Sequence, residues 1–186
     1  MGKGIFVTGT GTDIGKTYVT ALIVKKLADA GIRTGYYKAA LSGAKSIGDS
    51  DAGYVKKIAG ITQEDTSLLS YLYQNAVSPH LAAQIEGNPV DPEKIKKDFD
   101  KVKSKFDYVT VEGSGGIVCP IRWDKEHKIL LEDIVKALNL NTLVTSLLCL
   151  QSATTSSTGG LILALKRAFL LLAQKGGIAS AFTGPL

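Results

Sequence analysis

The sequence predicts an α/β fold in which a doubly wound, mostly parallel sheet carries helices on both faces, giving three layers. Apolar, β-branched segments alternate with segments of helical periodicity along the 186-residue chain, and this alternation is typical of parallel sheets with crossover helices. A glycine-rich turn also lies between the first apolar segment and the first helical one. Parallel sheets bind their ligands at the carboxyl ends of the strands, which is where such a turn would lie. The length favours one domain over residues 1–186.

The first part of the chain predicts two strands, each followed by a helix. Gly31 and Gly60 are expected to end the two helices, and Ser50 is a plausible N-cap for the second. The predicted bounds are 4–8 and 34–38 for the strands, 16–30 and 51–59 for the helices, and 39–50 for a polar loop.

The remainder continues the alternation after an ambiguous segment at residues 61–74. Pro79 favours the first turn of a short helix that ends near Gly87. A longer helix begins at Asp91–Pro92, and its apolar residues recur at intervals of four, three and four, so one face should be buried. Further predicted elements are strands at 107–112 and 142–147, a tight turn at 113–116, and helices at 131–138 and 161–174.

The glycine-rich turn from Gly9 to Thr17 has the composition of a phosphate-binding loop, which predicts a fold of the P-loop NTPase type. Glycine allows backbone N–H groups to point at an anion, and the N-terminus of the following helix adds partial positive charge. The common spacing places the first glycine at position 10, which is Thr10 here, so this loop is one residue longer. Lys16 can reach the outer phosphates, and the hydroxyl of Thr17 can bind Mg²⁺.

Three further residues are candidates for the same site. Glu112 ends a buried strand before four small residues, so its carboxylate can hold Mg²⁺ unless it is simply a surface acid. Lys38 ends the second strand and is either a solvated edge residue or a second cation for developing negative charge. Ser42 follows four residues later and can hydrogen-bond the same substrate. From the residues alone, Asp51 is interpreted as a negative charge that is favourable at a helix N-terminus.

The composition disfavours several other classes. The net charge is +5, but the lysines between residues 94 and 105 alternate with acids, so we expect no nucleic-acid partner. Cys119 and Cys149 lack metal-ligand spacing, which favours a reducing cytoplasm. We expect no membrane segment, and no signal peptide because the first strand begins close to the N-terminus. His80 and His127 have no partners at ligand or triad spacing.

Five segments together resemble the dethiobiotin synthetase family, the ATP-dependent cyclo-ligases of biotin biosynthesis. They are residues 6–17, residues 35–38 with Ser42–Gly43, and residues 50–52, 78–80 and 111–116. The longer phosphate loop is the family's own form. The resemblance covers about residues 1–146, and the chain departs from the family pattern from about residue 147, so residues 147–186 are atypical.

The resemblance implies a reaction of 7,8-diaminononanoate, CO₂ or bicarbonate, and Mg-ATP that gives dethiobiotin, ADP and phosphate. An amine of the substrate forms a carbamate, which attacks the γ-phosphate to give a carbamic–phosphoric anhydride, and the second amine closes the ureido ring. The family is homodimeric, with the substrate spanning two subunits.

The resemblance also implies a role for each matching residue. Lys16 and Lys38 would be catalytic, Ser42 and Lys38 would contact the substrate, and Asp51 becomes a metal ligand with Thr17 and Glu112. The nucleotide would be bound by Thr12, Asp13, Ile14, Gly15, Lys16, Thr17, Tyr18, Asp51, Glu112, Gly113, Ser114 and Gly115.

Other functions stay open on the sequence alone. A related amide-forming P-loop synthetase, such as a cobyrinate or cobyric acid enzyme, would share the phosphate loop. A partitioning ATPase usually carries an extra lysine early in the loop, and residues 9–15 contain none. A nucleotide-binding P-loop protein without ligase turnover is a further alternative, because the altered C-terminal segment affects the substrate and adenine sites of the family.

Overall fold

The computed structural model describes residues 3–145 of the chain, and these residues form a parallel sheet, a small hairpin and five α-helices. The strands are β1 (Lys3–Gly9), β2 (Thr34–Ser42), β3 (Leu69–Tyr73), β4 (Tyr108–Glu112), β5 (Pro120–Trp123), β6 (Lys128–Leu130) and β7 (Asn141–Thr145). The helices are α1 (Lys16–Asp29), α2 (Asp51–Ala59), α3 (Pro79–Ile85), α4 (Pro92–Lys105) and α5 (Leu131–Leu138).

The five-stranded sheet has the order β3-β2-β4-β1-β7, and every neighbouring pair in it is parallel. The middle strand, β4, aligns with both neighbours at its end. Glu112 lies opposite Val7 of β1 and opposite Lys38 of β2. The order therefore brings the carboxyl ends of β1, β2 and β4 together at one edge of the sheet.

Helices cover both faces of this sheet, which confirms the predicted three-layer α/β architecture. One face packs Phe6 and Tyr37 against α3, α4 and α5, with Phe99 at the centre of that cluster. The opposite face packs Tyr36 against α1 and α2, whose buried residues include Val24 and Val55. Consecutive residues of β2 thus point into different cores, as the two-residue repeat of a strand requires.

The helix ends follow the residues that predicted them. The hydroxyl of Ser50 accepts a hydrogen bond from the Gly53 N–H at 3.4 Å, so the predicted N-cap of α2 is confirmed. Gly60 closes α2 with φ of 66°, and Gly31 follows α1 with φ of 75°. These are left-handed conformations that glycine adopts without the steric cost of a side chain.

The predicted polar loop at residues 39–50 is wrong at its start, because β2 continues to Ser42. Ala39, Ala40 and Leu41 are buried there, since β2 lies between β3 and β4 and both its faces are covered. The polar, glycine-containing composition of residues 39–50 as a whole predicts a loop. In this case the tertiary position decides the structure.

Three strands, β3, β5 and β6, were not predicted. The ambiguous segment at residues 61–74 contains β3, whose Ser-Tyr-Leu-Tyr sequence carries no clear alternation. The antiparallel hairpin of β5 and β6 interrupts the region after the tight turn. The predicted strand at 142–147 is found as β7 up to Thr145, while its last two residues and the predicted helix at 161–174 lie outside the described residues.

No helix within residues 3–145 is both long and apolar enough to cross a membrane.

We predict that Gly35→Ala destabilises the fold by about 1–3 kcal/mol, the usual cost of overpacking a core. A Cβ at Gly35 would lie 2.6 Å from Cδ2 of the Phe106 ring. Urea denaturation measures the change in the free energy of unfolding. Gly48→Ala is the matched control, because its Cβ would meet only Ser46 Oγ, at 3.8 Å. Equal stability of both variants would contradict this packing.

Candidate active site

The turn between β1 and α1 forms an open loop with a lysine folded across it. The Nζ of Lys16 donates a hydrogen bond to the Gly11 carbonyl. Gly15 precedes α1 with φ of 85°, and no side chain caps the helix, so its first N–H groups remain for an anion. A Cβ on Gly11 would meet no atom within 4 Å, so this side of the loop is open.

The loop after β4 packs closely against this turn. The Ile117 N–H donates to the Gly9 carbonyl at 3.1 Å, and the Gly113 N–H donates to Val7 O at 2.9 Å. A Cβ on Gly116 would lie 3.2 Å from Thr10 O. Glycine at this position therefore lets the two loops approach, and the predicted tight turn after β4 lies beside the phosphate-type loop.

The centre of the site is an ion-pair cluster that joins the middle of β2 to the end of β4. Lys38 therefore does not end its strand as predicted, because β2 continues to Ser42. The Nζ of Lys38 donates to Asp51 Oδ2 at 2.6 Å and to Glu112 Oε1 at 2.9 Å. The Thr17 hydroxyl donates to the same Glu112 oxygen at 2.8 Å. Lys38 and Glu112 are buried, whereas the Asp51 side chain is 47% exposed. The structure thus brings together four of the residues selected from the sequence.

The two lysines differ in their electrostatic surroundings. Burial acts to lower the Lys38 pKa, but the charges of Glu112 and Asp51 outweigh it, so the pKa is raised and the ammonium stays charged. For Lys16 the opposite balance holds: burial first, and then the positive charge of Lys38, lower its pKa. Lys38 is therefore a neutralised cation inside a carboxylate pair, while Lys16 is a less compensated cation in the loop.

Two residues of the cluster were missed by the sequence analysis. The Tyr36 hydroxyl donates to Glu112 Oε2 at 3.1 Å. The Gln63 amide accepts from the Tyr36 N–H at 2.8 Å and donates to the Tyr36 carbonyl at 2.8 Å. Tyr36 lies two residues before Lys38 on one strand, so the shared face was a usable signal. Gln63 lies in the ambiguous segment and gave none.

The remaining predicted nucleotide-binding residues lie in the two loops and the first turn of α1. Asp13 is exposed and holds φ of 56°, a left-handed conformation that is uncommon outside glycine. Ile14 is 9% exposed and packs inward, since a Cβ on Gly9 would meet its Cδ1, so only its backbone can face a ligand. Tyr18 is 41% exposed on α1, and Thr12 lies exposed in the loop.

Ser114 and Ser42 each already have a protein partner. The Ser114 hydroxyl donates to the Ala40 carbonyl, which ties the loop after β4 to β2, and Gly115 follows with φ of 67°. The Ser42 hydroxyl donates to Val77 O at 2.6 Å. No hydrogen bond within residues 3–145 joins Ser42 directly to the Lys38 cluster, and Ser42 lies four residues beyond Lys38 at the end of β2.

His127 has acidic neighbours after all, in the turn between β5 and β6. Ligand atoms of Asp124, Glu126 and His127 lie within 4.8 Å of one another. The guanidinium of Arg122 donates to both carboxylates, to Asp124 at 2.5 Å and to Glu126 at 2.9 Å. The turn is therefore organised around an arginine. Sequence spacing missed this arrangement because the strand register of the hairpin was not predicted.

Sequence comparison with known proteins matches the part of the chain that carries this site. A sequence model of the family described as an AAA domain matches residues 3–156. The ATP-dependent dethiobiotin synthetase of Brachyspira hyodysenteriae is 57% identical over 144 residues, which cover 77% of this chain and 65% of that protein. The synthetase of Clostridium botulinum strain Alaska E43 is 49% identical over 170 residues, which cover 89% of this chain and 72% of that protein. The chain belongs to the dethiobiotin synthetase family.

Members of the dethiobiotin synthetase family are longer than the matched region. The synthetase of Clostridium botulinum strain Loch Maree is 57% identical over 148 residues, and the match again covers 65% of its length. This chain therefore spans slightly less than two thirds of these relatives. Because the Alaska E43 alignment covers 89% of the chain, it includes part of residues 147–186, where the sequence analysis expected a departure.

We predict that Lys38→Met lowers the free energy of unfolding by about 3 kcal/mol, because it leaves the buried Glu112 carboxylate without its ion-pair partner. Urea denaturation without divalent cations measures this change. The control Lys25→Met removes an exposed pair with Asp29 (Nζ–Oδ1 3.2 Å) and should cost under about 1 kcal/mol.

The double variant Lys38→Met/Glu112→Gln tests the cause of this loss. It should recover part of the stability, because the unpaired charge has been removed. A double variant that is less stable than Lys38→Met by the full cost of Glu112→Gln would contradict the pairing.

Proposed function

We propose that this chain is an ATP-dependent dethiobiotin synthetase, which closes the ureido ring of 7,8-diaminononanoate with CO₂ and the free energy of ATP. The observation that carries the proposal is the buried Lys38 ammonium, held between Asp51 and Glu112 next to the Thr17 hydroxyl. A phosphate-type loop beside two buried lysines suits a reaction whose intermediates are phosphorylated anions. The names of the similar proteins support the same activity.

The nucleotide part of the proposal rests on the loop from Gly9 to Thr17. Its open side, the uncapped start of α1 and the Lys16 ammonium would receive the phosphates of ATP. Lys16 now donates to a carbonyl of the loop itself, and a phosphate oxygen would be a stronger, charged acceptor for the same donor. Gly113, Ser114 and Gly115 lie in the adjoining loop and are proposed as further nucleotide contacts.

The donor set fits Mg²⁺, which prefers oxygen ligands and is usually bound through carboxylates together with substrate phosphates. Thr17, Asp51 and Glu112 present a hydroxyl and two carboxylates, and both carboxylates reach the same lysine nitrogen, so they converge on one region. These three residues would hold the ion. When bound, Mg²⁺ would neutralise charge on the transferring phosphoryl group.

The proposed chemistry needs positioning and charge stabilisation more than a nucleophilic side chain. One substrate amine takes up CO₂ as a carbamate, and a carbamate oxygen attacks the γ-phosphorus with loss of ADP. The second amine then attacks the carbamate carbon and expels phosphate, which closes the ring. Lys38 and Lys16 would stabilise the negative charge on carbamate and phosphate. Ser42, whose hydroxyl donates to Val77 O, keeps lone pairs that can accept from a substrate amine.

A homodimer and a cytoplasmic location belong to this proposal through the family resemblance. A second candidate is a nucleotide-binding protein without ligase turnover. This candidate is kept because residues 147–186 depart from the family pattern in the sequence.

The decisive measurement is ADP release with Mg-ATP and bicarbonate, with and without 7,8-diaminononanoate, and with the product mass determined. We expect release that depends on the diamine and a product with the mass of dethiobiotin. Lys38→Ala should slow product formation more than it weakens ATP binding. ATP binding without a ureido product would contradict the synthetase and favour the second candidate.

We predict that Lys16→Ala weakens ADP binding by about tenfold to a hundredfold, the usual worth of a hydrogen bond to a charged group. Isothermal titration in EDTA measures the affinity without a contribution from divalent metal. Lys25→Ala is the control, because that ammonium lies on the same helix and pairs with the exposed Asp29. Unchanged ADP affinity in Lys16→Ala would remove Lys16 from the phosphate site.

A further inference from the structure

The Glu112 carboxylate has donors on both of its oxygens, and the proposed function uses only those on one of them. Oε1 accepts from Thr17 and Lys38, both of which the proposal assigns to the reaction. Oε2 accepts from the Tyr36 hydroxyl at 3.1 Å. We propose that Tyr36 is a positioning residue, which fixes the Glu112 carboxylate so that Oε1 faces Thr17, Lys38 and the divalent cation. This inference rests on the proposed metal role of Glu112.

The register of the sheet makes this contact specific. Lys38 of β2 lies opposite Glu112 of β4, and Tyr36, two residues before Lys38, lies opposite Thr110. Tyr36 and Lys38 therefore point to the same face of the sheet. From its position opposite Thr110, the long tyrosine side chain extends to Glu112. Tyr36 has no exposed surface and Glu112 is 1% exposed. Water has no access to replace the phenol, so Oε2 depends on this donor.

The tyrosine is itself held in place at its backbone. β4 pairs with β2 at Tyr36, but β3, on the other side of β2, pairs only from Lys38 onward. Among residues 3–145, the β3-facing edge of β2 therefore has no strand beside Tyr36. The Gln63 side chain fills that position, accepting from the Tyr36 N–H and donating to the Tyr36 carbonyl, both at 2.8 Å. Gln63 is 5% exposed and also donates to Ser67 O at 3.2 Å. The Gln63 amide thus satisfies the backbone N–H and carbonyl of Tyr36 that a neighbouring strand would otherwise bond, and it holds the tyrosine backbone in place.

The Tyr36 hydroxyl is the donor in this contact with Glu112 Oε2. Burial, followed by the negative charge of Glu112, raises the Tyr36 pKa above its ordinary value. Partners that orient a metal ligand typically change metal affinity by about tenfold to a hundredfold when they are removed.

The adjacent residue offers a matched control for the same substitution. Tyr37 is also fully buried, but its hydroxyl is within 2.6 Å of Ser70 Oγ and donates to Ile95 O at 3.1 Å. It lies in the core on the opposite face of the sheet. Tyr36→Phe and Tyr37→Phe therefore remove one buried hydroxyl each, and only the first removes a donor from Glu112.

The test is a Mn²⁺ titration of the full chain in the presence of ADP, with free Mn²⁺ followed by electron paramagnetic resonance and Mg²⁺ added as competitor. We expect Tyr36→Phe to weaken Mn²⁺ binding about tenfold or more and Tyr37→Phe to change it less than about twofold. ADP affinity in EDTA should be unchanged in both variants, because no hydrogen bond within residues 3–145 joins either tyrosine to the Gly9–Thr17 loop.

Three outcomes would overturn the inference, and they are distinguishable. If Glu112→Gln weakens Mn²⁺ binding but Tyr36→Phe does not, the positioning role is wrong and the metal role of Glu112 stands. If Glu112→Gln also binds Mn²⁺ normally, the proposed metal site fails and this inference fails with it. If Tyr36→Phe loses ADP affinity in EDTA as well, Tyr36 is a packing residue and the specific role is wrong.

Discussion

The site depends on the burial of one carboxylate. Glu112 is 1% exposed at the end of the central strand β4, where an unpaired charge would be costly. It is stabilised by Lys38, Thr17 and Tyr36, which come from β2 and from the start of α1. The strand order β2-β4-β1 supplies these partners, because β4 has the lysine strand on one side and the phosphate-loop strand on the other. Fold and site are therefore linked through the surroundings of a single side chain.

The same edge of the sheet requires unusually close backbone approaches. A Cβ on Gly9 would lie 2.9 Å from Thr145 Oγ1, and a Cβ on Gly113 would lie 2.8 Å from Leu131 Cδ2. Glycine at these two positions lets the loops after β1 and β4 lie against neighbouring elements. The Ile117 N–H then reaches the Gly9 carbonyl. The glycine-rich composition of both loops is thus a packing requirement of the site as well as a source of free N–H groups.

Much of this arrangement could be predicted from the sequence, because the signals are local. Strand, glycine-rich turn and helix follow one another directly from β1 to α1, and Glu112 follows a β-branched run. Lys38 and Asp51 each fall at the edge of a predicted element. The carboxyl ends of parallel strands meet at one edge of a sheet, and this predicted that Glu112 lies near the glycine-rich turn. Lys38 reaches the same site from the middle of β2, since that strand continues to Ser42. The family assignment strengthened Asp51, which the residues by themselves left as a helix start.

The parts that escaped prediction depend on tertiary pairing. β3 has no clear alternation because both of its faces pack against apolar cores: Tyr71 and Tyr73 lie in one cluster, and Leu69 and Leu72 pack against the other. Gln63 is polar and sits in a connecting segment, yet it is buried because β2 has an open edge beside it. The ring of Tyr36 is part of the hydrophobic core, as an aromatic residue in a strand suggests, but its hydroxyl donates to Glu112. In each case the deciding partner lies at least 25 residues away in sequence, as with Tyr36 and Gln63 at a separation of 27.

The two lysines of the site differ in how far their positive charge is compensated by the protein. Lys38 already compensates two carboxylates, so little of its charge is left to attract an incoming anion. Lys16 donates to a neutral carbonyl, and its pKa is lowered by burial and by the positive charge of Lys38, so an anion in the loop would offset the repulsion between the two ammonium groups. Nucleotide phosphates would therefore be drawn first to Lys16. Under the proposed function, Asp51 and Glu112 would hold a divalent cation that supplies further positive charge, and the Lys38 ammonium would stabilise the carbamate and phosphate. The difference between the two lysines follows from the sheet, which buries Lys38 and not Lys16 between two carboxylates.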